Sequence, residues 1–334
     1  MSEAQDETLI PEIKYQRPKF HRRIFANLVD LLILAACTIL LFIGVRAIAQ
    51  ATPSYKEENG RLLEIRLDSC LYVDTEDGQV EVMDYIGDDT GLTAKMKYDK
   101  AEAAIDGFIE YAKVTIGDEG AKEIEKARDE FNLDLEIAHV PLYIEVNGEA
   151  VYNPDTKASY SQYFELGSTQ FYASYCLGFL TTRFPEYIDI TLHFSRLLAF
   201  VEIPVSYAIG GLITYLLPTF IFRRGRKTFG KAIYKIGLVD SRILNPTWKR
   251  SLARFAIFYF LVLLLSIVTF AIPAIISTTL MGFSKKRQGF ADYMLNLQEV
   301  DTTNQKIFFN TEEAIAATVD NHKPPVDFEA ISRL

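Results

Sequence analysis

Three stretches run almost continuously apolar: residues 20–48, about 196–222, and 255–283. Elsewhere polar and apolar residues alternate. About 20 apolar residues carry a helix across a hydrocarbon core, so the pattern predicts membrane spans. The first stretch is entered through Arg22 and Arg23, and between Ile24 and Ile48 its only charges are Asp30 and Arg46. Arg23 and Asp30 stand two helical turns apart, on one face. An ionised carboxylate at that depth is costly unless it is paired or faces water. Another element must therefore cover Asp30. Two readings stay open: a structural partner on a neighbouring helix while Arg22 or Arg23 reaches the headgroups, or a working ion or proton site.

The second stretch contains Glu202, Pro204, Gly210, Gly211 and Pro218, and ends at Arg223, Arg224, Arg226 and Lys227. Paired glycines let another helix approach closely, and the prolines predict bends. Glu202 lies toward the outer end, where it reads as a carboxylate reaching the headgroups, with a buried ion ligand as the alternative. The bent helix is the expected partner for Asp30. At ~1.5 Å per residue the third stretch is about 43 Å long, too short for two full crossings of a ~30 Å core but sufficient for a hairpin broken at Pro273. A single tilted span is the alternative.

Between the first two stretches, residues 52–189 are polar and of the size of one small domain. Tyr143, Glu145 and Val146 precede Asn147-Gly148, and Glu149, Val151 and Tyr152 follow, a hairpin signal because both turn residues need positive φ. Alternation over residues 61–86 around Asp77-Gly78 suggests a second hairpin, so strands are expected at both ends. Residues 99–114 and 118–131, with Ala101, Ile105, Phe108, Ile109 and Ala112 near helical spacing, predict two helices. The aromatic segment 164–184 reads as a helix on the membrane surface or in the domain core. The fold class is thus an α-helical multi-pass membrane protein with three hydrophobic regions, the third a candidate hairpin, and an inserted α+β extracytoplasmic domain. Its parts are a tail (1–19), first span (20–50), insert (51–195), second span (196–222), basic loop (223–254), third region (255–283) and C-terminal motif and tail (284–334), with a short helix near 311–319.

Charge sharpens this. The 334-residue chain carries −9 overall, but residues 51–195 hold 29 acidic against 12 basic side chains, a net −17 that leaves +8 elsewhere. Lysine and arginine beside spans mark the cytoplasmic side. The expectation is a cell-membrane protein with its N-terminus inside and residues 51–195 outside. The acidic balance gives no support to nucleic-acid binding. The four scattered histidines have no zinc spacing, and Asp74, Glu76 and Asp77 lack the downstream glutamate of an EF-hand, so no metal and no cofactor is expected. Neither a phosphate loop nor a G-x-S-x-G elbow occurs, and no nucleophile and base can be paired, so an enzyme is not expected. Cys70 and Cys176 both fall in the insert, where a disulfide is chemically allowed.

Residues 225–241, GRKTFGKAIYKIGLVDS, resemble the G-x-T-x-G-K stretch and following strand of the RDD family of bacterial membrane proteins, through Gly225, Thr228, Gly230 and Lys231. Arg23, Ala26 and Asp30 resemble that family's first-span pattern R-x-x-A-x-x-x-D. Arg250 and Arg254 look like its basic approach to the third region, and Arg287, Gly289 and Asp292 like its terminal motif. The sequence departs from the pattern at Phe229, Ala291 and residues 295–297. The resemblance implies roles in transport or structure for Arg23, Asp30 and Asp292, which with Glu202, singled out by its place in the second stretch, make the candidate polar membrane core; it also implies a loop motif of Gly225, Thr228, Gly230, Lys231, Arg250 and Arg254. Separately, a hairpin in the third region would return Asp292 to the cytoplasmic face, where residues 236–240 can pair with 295–301. Transport of ions or a small ligand, with Asp30 titrating and Arg23 tuning it, is the first functional expectation. The second is a scaffold or sensor presenting the acidic domain to partners. Expected partners are the bilayer and a homo-oligomer or other membrane proteins.

Overall fold

The computed structural model describes residues 15–137, 139–146, 148–153, 155–284 and 287–321. Most of the N-terminal tail, Asn147, the Lys285-Lys286 pair and the chain beyond 321 lie outside the described residues. The chain forms two compact units: Ala47–Val201, and the residues up to Arg46 together with those from Glu202 onward.

Three helices are long and apolar enough to cross a membrane: Phe20–Ala51, Pro185–Ile221 and Trp248–Val268. In the first, Arg23, Ala26, Asp30 and Leu34 are the buried residues, a stripe three or four residues apart along one face. The second starts earlier than the expected 196, with Pro185 in its first turn, where a missing N–H costs nothing. It widens into π-type turns at Leu198–Glu202 and Leu212–Leu216. Each wide turn lies just ahead of a proline, Pro204 or Pro218. Proline has no N–H for the carbonyl four residues back, here Phe200 and Thr214, so both irregularities fall where the proline pattern puts them. Gly210 meets the first helix, where a Cβ would come within 2.8 Å of Thr38 Oγ1, and Gly211 lies against the Tyr259 ring of the third. The glycine pair thus admits two neighbours.

The third region is a hairpin and not one tilted span. The helix Trp248–Val268 ends, Phe270 and Ala271 take left-handed φ of 50° and 66°, and Ile272–Phe283 begins. Ser266 closes the turn, its carbonyl accepting from Ala271 N at 2.8 Å and its Oγ from Ala274 N at 3.0 Å. The break falls just ahead of Pro273, which occupies the first turn of the returning leg. Beyond it, Gln298–Asp301 pairs antiparallel with Ile236–Val239 as expected, with Leu238 opposite Glu299. The closing helix is Thr311–Asn321.

The unit Ala47–Val201 is more helical than its sequence suggests, and strands do not dominate its ends. Residues expected to open the earlier hairpin lie in a helix, Pro53–Asp68, capped by Thr52 and burying Leu62 and Ile65. Only Tyr72–Thr75 and Gly78–Glu81 form that hairpin, and Val82–Asp88 is helical again. Leu63, Ile65 and Leu67 fit alternation, but Leu62 and Ile65, three residues apart, fit one helical turn, and the proline-led cap decides for helix. The two expected helices form Ala94–Leu133, broken at Gly117 by φ 87°, ψ 173°, a conformation open to glycine. Ala101, Ile105, Phe108, Ile109 and Ala112 are all buried. The later hairpin pairs Tyr143–Val146 with Glu149–Tyr152. The aromatic run 160–183 is helical and belongs to the core, with Phe171, Tyr172, Cys176 and Leu180 buried. Cys70 and Cys176 are free thiols.

Candidate functional site

The segment after the second span folds onto the first helix through Asp30. Thr228 Oγ1 donates to Asp30 Oδ2 at 2.5 Å, and Gly230 N–H donates to Oδ1 at 2.7 Å, so both carboxylate oxygens are engaged. Asp30 and Thr228 are each 1% exposed. Thr228 precedes the short helix Phe229–Ile233 without bonding it through its own side chain, which leaves the hydroxyl to Asp30. Glycine at 230 follows from the same geometry, because a Cβ there would overlap the Ala26 carbonyl and approach the Asp30 carboxyl. The expected cover is therefore real, but it comes from the loop and not from the bent second helix.

Arg23 does not act on Asp30. Its guanidinium pairs with Glu299 and donates to the carbonyls of Met281 at 3.3 Å and Arg287 at 2.7 Å, satisfying the end of the returning leg. It is buried, not extended to headgroups. Lys231 Nζ meets the other Glu299 oxygen at 2.5 Å. Burial pushes the Glu299 carboxyl up, but Lys231 and Arg23 outweigh it and hold it well below the usual carboxylate range. A third pair joins the two legs of the hairpin: Arg254 Nε and Nη2 bind Asp292 Oδ1 and Oδ2 at 2.5 and 3.3 Å, a two-point contact suited to a guanidinium. Asp292 follows the returning leg and Arg254 opens the outgoing one, so the pair closes the hairpin at its base.

Arg250 lies nearby in sequence yet serves another site. With Arg242 it binds the buried Asp240, which also accepts from the Arg242 and Leu244 N–H groups. Gly225, at φ 81°, sits against Gly237 and Ile307, and its N–H donates to Asn245 Oδ1 at 2.7 Å. Glu202 is separate from all of these. It is 4% exposed, not a headgroup-facing carboxylate, and its Oε2 lies 4.0 Å from Arg46 with no hydrogen-bond partner. Glu202 is the last residue of the wide turn Leu198–Glu202 and faces Arg46 of the first helix.

Arg23, Asp30, Thr228, Gly230, Lys231, Arg254 and Asp292 thus form one buried assembly, joined by a residue that the residue pattern did not single out, Glu299. A buried lysine needs a carboxylate, and Lys231 beside a strand that pairs with 298–301 was the available signal. A cavity of about 270 Å³ adjoins the assembly, with apolar walls including Leu31 and Val262 and a polar margin of Asn27, Ser277, Arg254 and Asp292. Among the described residues no three metal-ligating side chains stand together. The chemistry on offer is charge neutralisation and hydrogen bonding inside an apolar helical frame.

Fold and site together define a multi-pass helical membrane protein whose spans are tied by buried ion pairs and a carboxylate-bound loop. The RDD family model matches residues 171–296, so across that stretch the chain is similar to the RDD family. The matched residues include the second span, the loop, the hairpin and Asp292; the first helix lies outside them and joins them through the contacts of Arg23 and Asp30. No curated protein and no solved structure matches the chain.

Proposed function

We propose that this protein is a membrane platform that carries its acidic soluble unit, inserted between the first and second spans, to partner molecules. The supporting observation is that both oxygens of Asp30 are held by Thr228 and Gly230. A carboxylate so occupied fastens a loop, and a coupling site would need it to exchange those donors for a cation or proton. In this reading the basic residues 223–227 and 249–254 lie on the cytoplasmic face of the cell membrane, residues 51–195 lie outside, and the partners are a second copy or other membrane proteins. No catalytic step is assigned to it.

Transport is the second reading, and a different residue favours it. Glu202 is buried with one oxygen unpartnered, and the buried hydroxyls Thr38 Oγ1 and Thr214 Oγ1 also lack partners. Proton and sodium flux into vesicles holding wild-type protein, Asp30→Asn or Glu202→Gln separates the two. The platform predicts no flux above that of empty vesicles. Wild-type flux that disappears in Glu202→Gln, with the protein still folded, would replace the platform by a transporter centred on Glu202.

A further inference from the structure

The soluble unit contains a tyrosine-lined cavity that neither functional reading uses. It has a volume of about 560 Å³ and is bounded by Tyr98, Tyr152, Tyr160 and Tyr163, with Lys95 and Asp99 among its lining residues. Three elements bring these rings together: the start of the helix Ala94–Leu133, the end of the strand Glu149–Tyr152 and the first turns of the run 160–183. Tyr98 is the hub, with ring centroids 6.2 Å from Tyr152, 5.8 Å from Tyr160 and 6.0 Å from Tyr163; Tyr152 meets Tyr163 edge-on at 5.2 Å.

The wall is held in place from behind. Tyr163 Oη donates to Leu142 O at 3.4 Å, and Asn153 ties the hairpin stem through Nδ2 to Pro141 O at 2.8 Å. Ser159 and Gln162 form a reciprocal cap that fixes the approach to Tyr160. Tyr98 is 5% exposed, and its hydroxyl has no partner.

Two features select the charge of a ligand. Aromatic faces carry partial negative charge and attract cations. The chain's own ammonium already uses one face, since Lys95 Nζ lies 5.7 Å from the Tyr160 ring centroid. Asp99 adds a carboxylate, and the surrounding sequence has a net charge of −17 between residues 51 and 195. A field of that sign raises the local concentration of cations.

We propose that this cavity binds a small organic ammonium ion, whose charged group takes the place over Tyr160 that the Lys95 side chain occupies. The site stands on the soluble unit alone and holds whether the membrane part is a platform or a transporter. The test is calorimetric titration of full-length protein in a maltoside detergent with choline, and with dimethylbutanol as its neutral isostere. Saturable binding of choline at millimolar concentration or tighter, without binding of the isostere, is expected. Tyr160 is 45% exposed, so Tyr160→Ala leaves the core intact. It should weaken choline at least about fivefold. Lys95→Met removes the competing ammonium and should strengthen choline binding. Absence of choline binding, equal binding of the isostere, no effect of Tyr160→Ala, or weaker binding in Lys95→Met would each overturn the proposal.

Discussion

Replacing Thr228 by valine isolates the fastening of Asp30. Valine keeps the branched shape and suits the extended backbone at this position, φ −77° and ψ 173°. Because Thr228 makes no side-chain cap to its own helix, the substitution removes one interaction, the donation to Asp30 Oδ2. A hydrogen bond to a charged group is worth about 1.5–3 kcal/mol. Both residues are 1% exposed, so water does not replace the lost donor, and the middle of that range applies. A loss of ~2 kcal/mol lowers the folding equilibrium of this unit roughly thirtyfold. It should lower the melting temperature by about 4–8 °C in a unit of this size. Trp248 is the only tryptophan and opens the third region, so its fluorescence reports on the membrane unit and not on the soluble one. Thermal melts in detergent should show the drop for Thr228→Val and near wild-type melting for Thr228→Ser, which keeps the hydroxyl. Equal melting of Thr228→Val and wild type would refute the reasoning.

Two further perturbations probe the same assembly. Gly230→Ala forces a Cβ into the Ala26 carbonyl, backbone that cannot swing aside, and should cost about 3 kcal/mol in the Trp248 melt. Glu299 has a folded pKa below its unfolded value of about 4.3, so its stabilisation is complete above that value and is lost as pH falls from there toward the folded pKa. Wild-type melting should therefore decline below about pH 5. Glu299→Gln should melt lower at neutral pH, by an amount corresponding to about 3–5 kcal/mol, with a shallower acid decline. An unchanged acid decline in Glu299→Gln would place the pH sensitivity elsewhere.

The parts of this protein written as local pattern were readable from the chain. Continuous apolar runs gave the spans, and Pro204 and Pro218 marked the irregular turns of the second. The 255–283 stretch was too short for two full crossings, and it breaks ahead of Pro273 as a hairpin; its outgoing leg reaches crossing length only by starting earlier, at Trp248, and its returning leg has 12 residues. The spacing of Arg23 and Asp30 placed both on one buried stripe. Partners across sequence were not readable, because spacing along a helix says which face a residue occupies and not what lies opposite. Asp30 therefore looked like a match for Arg23, which in fact serves Glu299. Glu202 looked like a headgroup contact because its position near a span end said nothing about Arg46 of the first helix, which it faces. In the soluble unit, residues 61–68 satisfied both strand alternation and helical spacing, and the Thr52-Pro53 cap settled the matter.

A double-mutant cycle in Trp248 melts, comparing wild type, Asp30→Asn, Thr228→Val and the double variant, tests most directly whether Asp30 is a structural fastener. Two residues that act through one bond lose it once, so the double variant should be less destabilised than the sum of the singles, with a coupling of about 1–3 kcal/mol. Additive effects, or an Asp30→Asn protein that melts like wild type, would contradict a fastening role for Asp30 and return it to the candidates for ion coupling.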